Sequence, residues 1–236
     1  MRLDQFLVKS NICSRSEAKQ LARKGRVSVN GELRKDTSVH IDENADEVKV
    51  DGVTVNYAKF HYYMFNKPAG CVSATRDGLS QTVIDYLKGE PVKGLFPVGS
   101  LDKDTEGLLI ITDDGKLAHN LLSPKKHVGK TYLVLSNRQL NNENLSAITE
   151  GIDIGDEDLT LPAKIEEFGK VDDLYRYELT IFEGRFHQVK RMFEACGAKV
   201  EYLKRLSMGE VKLDDSLSPG EYRQLTTEEL VSLSNN

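Results

Sequence analysis

Three short stretches of the chain carry side chains able to do chemistry. The first holds Asp102, within Pro97-Val98-Gly99-Ser100-Leu101-Asp102-Lys103-Asp104-Thr105-Glu106-Gly107, between a Gly-containing turn and an apolar run starting at Leu108. A carboxylate at such a junction either caps the turn or serves a site, and by position alone capping is the commoner role. The second is Gly184-Arg185-Phe186-His187-Gln188-Val189-Lys190-Arg191-Met192. There Lys190 and Arg191 leave the polar side of a helix, where a cation can hold an aspartate ionised. His187 alone reads as a structural histidine before it reads as a base. The third is Lys130-Thr131-Tyr132, and a tyrosine opening a strand is more often core than catalytic.

Other chemistries lack their motifs. The sequence has no G-x-G-x-x-G, Walker loop, H-E-x-x-H or G-x-S-x-G, so dinucleotide, nucleotide-hydrolysis, zinc-protease and serine-hydrolase readings are unsupported. The five histidines show no metal-ligand spacing with cysteines or carboxylates, and no metal site is expected. No run of 18 apolar residues is present, so no membrane span is expected. The N-terminal stretch has no apolar core of signal-peptide length and carries Asp4 and Lys9 within it, so no signal peptide is expected there. Three widely separated cysteines suit reduced thiols and a cytoplasmic location.

The elements that must position these residues fall into two parts. At 236 residues with 39% hydrophobic content, the chain can form one large domain or two unequal ones. A net charge of −5 speaks against nucleic acid until the charges are placed along the chain. Residues 1–35 carry +6, residues 36–56 carry −5 and the remaining 180 carry −6. Within the basic stretch, Ser14-Arg15-Ser16-Glu17 is a capping box, predicting a helix to Lys24 that stops at Gly25. Arg15, Lys19 and Arg23 recur every four residues and share one face of it, either a solvated face or a phosphate-contacting one. Val27 and Val29 alternate up to the tight-turn pair Asn30-Gly31, and Val48-Lys49-Val50 ends at Asp51-Gly52.

Beyond Asn56 the patterns predict strands at 62–65, 108–112, 132–135 and 175–182, with short helices over 81–87 and 143–150. Val189, Met192, Phe193 and Cys196 recur at helical spacing, predicting a helix from Phe186 to Cys196 closed by Gly197. Without regular βαβ alternation, the expected class is α+β with a mixed, largely antiparallel sheet flanked by helices.

Two resemblances organise these observations. Arg2-Leu3-Asp4, Ser14-Arg15-Ser16-Glu17-Ala18, Gly25-Arg26-Val27-x-Val29-Asn30-Gly31 and Asp46-x-Val48-x-Val50-Asp51-Gly52 resemble the S4-type RNA-binding domain over residues 1–56. Residues 57–61 then form a connector to a catalytic domain over 62–236. That second part resembles the pseudouridine synthases, and among them the RsuA-type family that modifies ribosomal RNA. The resemblance rests on Asn66-Lys67-Pro68-x-Gly70-x-Val72-Ser73, Leu101-Asp102-x-x-Thr105-x-Gly107-Leu108-Leu109, Ser123-Pro124-Lys125-Lys126-His127-Val128-x-Lys130-Thr131-Tyr132 and Glu183 to Phe193.

The resemblance implies roles. Asp102 matches the family's catalytic aspartate, acting as nucleophile or by stabilising positive charge on the ribose while uridine is isomerised. Tyr132 matches the active-site tyrosine, whose ring can stack on uracil and whose hydroxyl can move a proton at carbon 5. Lys190 matches the basic residue paired with the aspartate, with Arg191 as the alternative. A family leucine or valine beside that pair corresponds to Leu206 or Leu203. RNA contacts are expected from Arg2, Arg15, Lys19, Arg23, Lys24, Arg26, Arg185, His187 and Arg191. The isomerisation is redox-neutral, so no cofactor is expected. Ser100 stands where the family usually has arginine, for which Lys103, Lys125 or Arg185 are the substitutes at hand. The 123–132 run looks more like the small-subunit (16S) enzymes than the large-subunit (23S) ones. The expected protein is a monomer acting on ribosomal RNA; a non-catalytic assembly factor that kept the fold is the competing class.

Overall fold

The structure, a computed structural model, describes every residue except Asn11, Asn56, Ala58, Pro91, Val92 and Asn236. Part of the expected 57–61 connector therefore lies outside the described residues. The chain separates into two compact units, Met1–Phe60 and His61–Asn236. No helix among the described residues is long and apolar enough to cross a membrane.

The small unit packs α1 (Leu3–Lys9) and α2 (Arg15–Arg23) with four short strands: β1 (Val27–Val29), β2 (Glu32–Leu33), β3 (Val48–Val50) and β4 (Val53–Thr54). The strands form an antiparallel sheet in the order β2-β1-β3-β4. The capping box opens α2, with Ser14 Oγ accepting from the Glu17 amide and Glu17 accepting from the Ser14 amide. Asn30-Gly31 and Asp51-Gly52 both adopt the left-handed conformation that a two-residue hairpin turn requires. Leu3, Phe6, Leu7, Ala18, Ala22, Val27 and Val48 form this unit's own core.

The large unit is built on one mixed sheet. Its elements begin with β5 (Tyr62–Lys67), a 3-10 turn at Val83–Tyr86, β6 (Phe96–Pro97), β7 (Glu106–Thr112) and α3 (Gly115–Leu122). A 3-10 turn at Pro124–Lys126, β8 (Lys130–Ser136), α4 (Asn142–Glu150), β9 (Lys164–Val171) and β10 (Leu174–Ile181) follow. The unit closes with α5 (Gln188–Ala195), β11 (Val200–Met208), β12 (Val211–Lys212), β13 (Tyr222–Gln224) and α6 (Thr227–Ser234). The strand order is β13-β5-β7-β11-β8-β10-β9, with β6 beside β7 and β12 beside β11. Among the described strands of this sheet every pairing is antiparallel except β7 with β11.

Leu108 to Ile111 read as a continuous apolar run because both faces of β7 are covered. Leu109 and Ile111 join Tyr132, Val134, Leu179, Met192 and Phe193 on the face packed by α4 and α5. Leu108 and Ile110 join Leu117, Leu121 and Leu233 on the face packed by α3 and α6. The helix expected from Phe186 starts only at Gln188, because His187 is left-handed at φ +50° and turns the chain into α5.

Candidate active site

Asp102 lies on the loop before β7, and that loop is clamped by the turn that follows β5. Lys67, fully buried, donates its ammonium hydrogens to the carbonyls of Pro68 (3.1 Å), Asp102 (3.0 Å), Lys103 (3.3 Å) and Thr105 (2.8 Å). The Ser73 hydroxyl donates to Leu101 O at 2.9 Å and accepts from its amide at 3.0 Å, and the Gly70 amide donates to Lys103 O at 2.7 Å. Burial lowers the pKa of Lys67, while Cys71, Asp104 and Asp102 pull the other way. The Asn66–Ser73 and Leu101–Leu109 motifs thus occur together because one holds the other's backbone.

The Asp102 carboxylate faces α5. Lys190 Nζ stands 3.0 Å from Asp102 Oδ2 and 2.7 Å from Asp104 Oδ1, and His187 Nε2 lies 3.5 Å from Asp102 Oδ1. Burial opposes the charge on Lys190, but its hydrogen bonds to Asp104 and Asp102 outweigh that and raise its pKa. The Lys190 hydrogen bond in turn lowers the pKa of Asp104. Asp102, Lys190 and His187 line a cavity of about 460 Å³ together with Tyr132, Leu203 and Arg205, a size suited to a small planar ligand. Tyr132 reaches it from β8, where the alternation of buried and half-buried residues puts Lys130, Tyr132 and Val134 on the inner face. The expected trio of Asp102, Tyr132 and Lys190 is therefore brought to one cavity.

The matches to known proteins agree with that geometry. Residues 61–195 match the family described as RNA pseudouridylate synthase, and residues 1–47 match the S4 domain. A protein of Bacillus subtilis (strain 168) named as an uncharacterised RNA pseudouridine synthase is 49% identical over 98% of this chain and 97% of its own length. The chain belongs to the RNA pseudouridylate synthase family. A Haemophilus influenzae protein named "Ribosomal small subunit pseudouridine synthase A" is 41% identical, covering 99% of both chains. A crystal structure titled as that of a pseudouridylate synthase superposes with a TM-score of 0.68 at 41% identity, again over 99% of both.

Other nominated residues of this pseudouridine synthase separate cleanly. Arg185 is committed to the loop before β9, donating to Asp158 O (2.7 Å) and Leu159 O (2.7 Å), and to Glu183 beside it (3.0 Å). Arg191, one position round the helix from Lys190, turns away from Asp102 to Asp156 and the carbonyls of Ile154 and Phe186. Leu203, not Leu206, lines the cavity. Ser100 also lines it, while Lys103 bonds Ser80 Oγ at 3.1 Å and Lys125 is exposed on the 3-10 turn.

In the small unit Arg15, Lys19, Arg23 and Lys24 are exposed, and Arg2, Arg15 and Lys19 border one surface hollow. Arg2 also pairs with Asp4, and Arg26 makes a two-pronged pair with Asp51.

The sequence alone did not point to the Lys67 clamp, to Asp104 as a second partner of Lys190, or to Thr105, Lys130 and Arg205 in the cavity lining. Lys130 and Thr105 stood inside the quoted motifs. Arg205 had no local signal, because a charged residue in an unrecognised strand reads as exposed.

Proposed function

We propose that this chain converts one uridine of 16S ribosomal RNA to pseudouridine, with Asp102 acting at C1′ of an extruded nucleotide, Tyr132 against its base and Lys190 orienting the carboxylate. The observation that carries this reading is the Asp102–Lys190 ion pair at 3.0 Å inside a cavity that Tyr132 also lines. A uridine must leave its stack to reach such a site. Asp102 then either adds to C1′ or stabilises its positive charge as the bond to N1 breaks; Lys190 balances the carboxylate's charge before and after. The base turns, C5 bonds to C1′, and the C5 proton departs with the Tyr132 hydroxyl placed to assist. The S4-type unit supplies sequence-independent contact to phosphates through its exposed cations. The chain works as a monomer in the cytoplasm.

Full-length similarity to proteins named for the small subunit favours 16S over 23S as substrate. Pseudouridine mapping of both ribosomal RNAs from a deletion strain tests this. One 16S site should disappear, returning with the wild-type gene and not with Asp102→Asn. Loss of a 23S site with 16S intact would overturn the substrate assignment. Unchanged maps would leave the assembly-factor reading in its place.

A further inference from the structure

The proposed reaction creates a charge that Asp102, Lys190 and Tyr132 leave unattended. When the C1′–N1 bond breaks, its electron pair leaves with the base. The detached uracil is then an anion whose charge is shared by N1, O2 and O4. It must stay in the cavity and turn until C5 can bond to C1′. Loss of the C5 proton and gain of one proton at N1 complete a balanced isomerisation. Lys190 is already held by two carboxylates.

The buried part of the same cavity lining contains two cations that no carboxylate neutralises among the described residues. Lys130, on β8, is almost fully buried and donates only to Val128 O, at 3.0 Å. Arg205, on β11, is 1% exposed; its Nε donates to Leu108 O at 2.7 Å, and its Nη2 is buried with no partner. The Thr105 hydroxyl, also in the lining, is likewise buried and unpartnered. Arg205 lies directly opposite Tyr132 in the β8–β11 register, and Lys130 is two residues from Tyr132 on the same strand. The two cations and the aromatic ring thus share one face of the sheet.

Lys67, the other fully buried cation of this unit, and several half-buried ones have definite partners. Lys67 meets four carbonyls, while Arg185, Arg191 and Arg223 each meet carboxylates. Burying charge without a counter-ion is costly, and an arrangement that does so twice in one cavity is built for an anion that arrives later. Burial and the neighbouring Arg205 push the Lys130 pKa down to about 8, a strain that an incoming negative charge relieves. The arrangement is also close-packed. A Cβ at Gly107, which sits at φ +100°, would meet Arg205 O at 2.2 Å, so β7 approaches the Arg205 backbone with no room for a side chain between them.

We propose that Lys130 and Arg205, assisted by the Thr105 hydroxyl, grip the carbonyl oxygens of the detached uracil anion and hold the base in the cavity while it turns. This rests on the cavity being the uridine site. It does not depend on which route Asp102 takes, since either releases the same anion.

The test is a single-turnover comparison of the full chain on two RNAs, a 16S fragment carrying the mapped uridine and the same fragment with 5-fluorouridine there. The reading is disappearance of the starting nucleoside, with RNA Kd and melting temperature measured alongside. Fluorine stabilises the departing base anion, so less help from the protein is needed. Lys130→Met should slow the uridine substrate about 100-fold, the scale of losing one donor from an anion-stabilising site. The deficit should shrink several-fold on 5-fluorouridine, with Kd unchanged, and Lys130→Arg should recover most of the rate. Thr105→Val, nearly isosteric, should cost about 3- to 10-fold and show the same narrowing; it carries the test if Lys130→Met does not fold. Equal deficits on both RNAs, an unaffected rate, or a weakened Kd that accounts for the whole loss would overturn the proposal. The last outcome would make the partner an RNA phosphate. A wild-type protein that forms no pseudouridine would instead refute the underlying reading of the site.

Discussion

The two units use positive charge in opposite ways. In Met1–Phe60, Arg15, Lys19 and Arg23 stand on an exposed face of α2 and Lys24 is exposed at its end, and none of them makes an ion pair among the described residues. In His61–Asn236 the cations near the site are fixed in place: Lys67 to the Asp102 loop, Lys190 to Asp102 and Asp104, Arg191 to Asp156, with Lys130 and Arg205 buried in the cavity lining. Mobile exposed cations act on any phosphate, at a strength set by salt. Fixed, dehydrated cations act on one group in one place. Affinity and chemistry should therefore be separable by mutation.

Asp102→Asn should have the largest effect, lowering the rate on the order of 10⁴-fold or more while leaving the RNA Kd within about twofold. A parallel fall in binding would show that the two functions are not separate. Lys67→Met should act on stability, leaving several buried carbonyls without a donor and costing more than about 3 kcal/mol; chemical denaturation of wild type and variant measures it. A small loss would mean that the Asp102 loop holds its shape without the clamp.

The stability of the large unit should also report the Lys130 charge. Its folded pKa, about 8, lies below the ordinary 10.5, with burial the main cause and Arg205 the charged neighbour. Below pH 8 both folded and unfolded chains carry the proton, and the folded one bears the full penalty. Between pH 8 and 10.5 only the unfolded chain keeps it, so stability rises with pH across that window, by up to about 3 kcal/mol. Denaturation at several pH values should show this slope reduced in Lys130→Met relative to wild type.

Neutralising Arg15, Lys19 and Arg23 together should weaken RNA binding about tenfold at moderate salt and flatten the salt dependence by about 2 to 3 in log–log slope. The single-turnover rate at saturating protein should not change. An unchanged Kd would remove this helix face from the interface.

Sequence reasoning succeeded where local chemistry decides and faltered where distant chain does. Ser14–Glu17, Asn30-Gly31 and Asp51-Gly52 specify their own geometry, and the structure shows the capping box and both left-handed turns. The pairing of Lys190 with Asp102 was legible only through the motifs, since 88 positions separate the two in the chain. Val200–Met208 was missed as a strand because Glu201, Lys204 and Arg205 interrupt its apolar residues. Two of its charges are tolerated in a central position since Arg205 turns into the cavity and Glu201 is exposed and pairs with Lys199 at 3.0 Å. Arg185 and Arg191 read as free cations because their acceptors, the 154–159 loop and Glu183, carry no pattern that announces them.

The parallel pairing of β7 with β11 has a consequence for how the molecule comes into being. Lys204 pairs with Glu106 about 100 residues earlier in the chain. During synthesis residues 1–60 can close while the rest is still being made, since they form a compact unit of their own whose longer contacts, such as Met1 with Ile41, stay within that stretch. The cavity cannot, since Arg205 and Leu203 arrive last and must insert between β7 and β8. A growing chain therefore completes its S4-type unit well before it completes the cavity, and a chain stalled before Met208 would carry the first without the second.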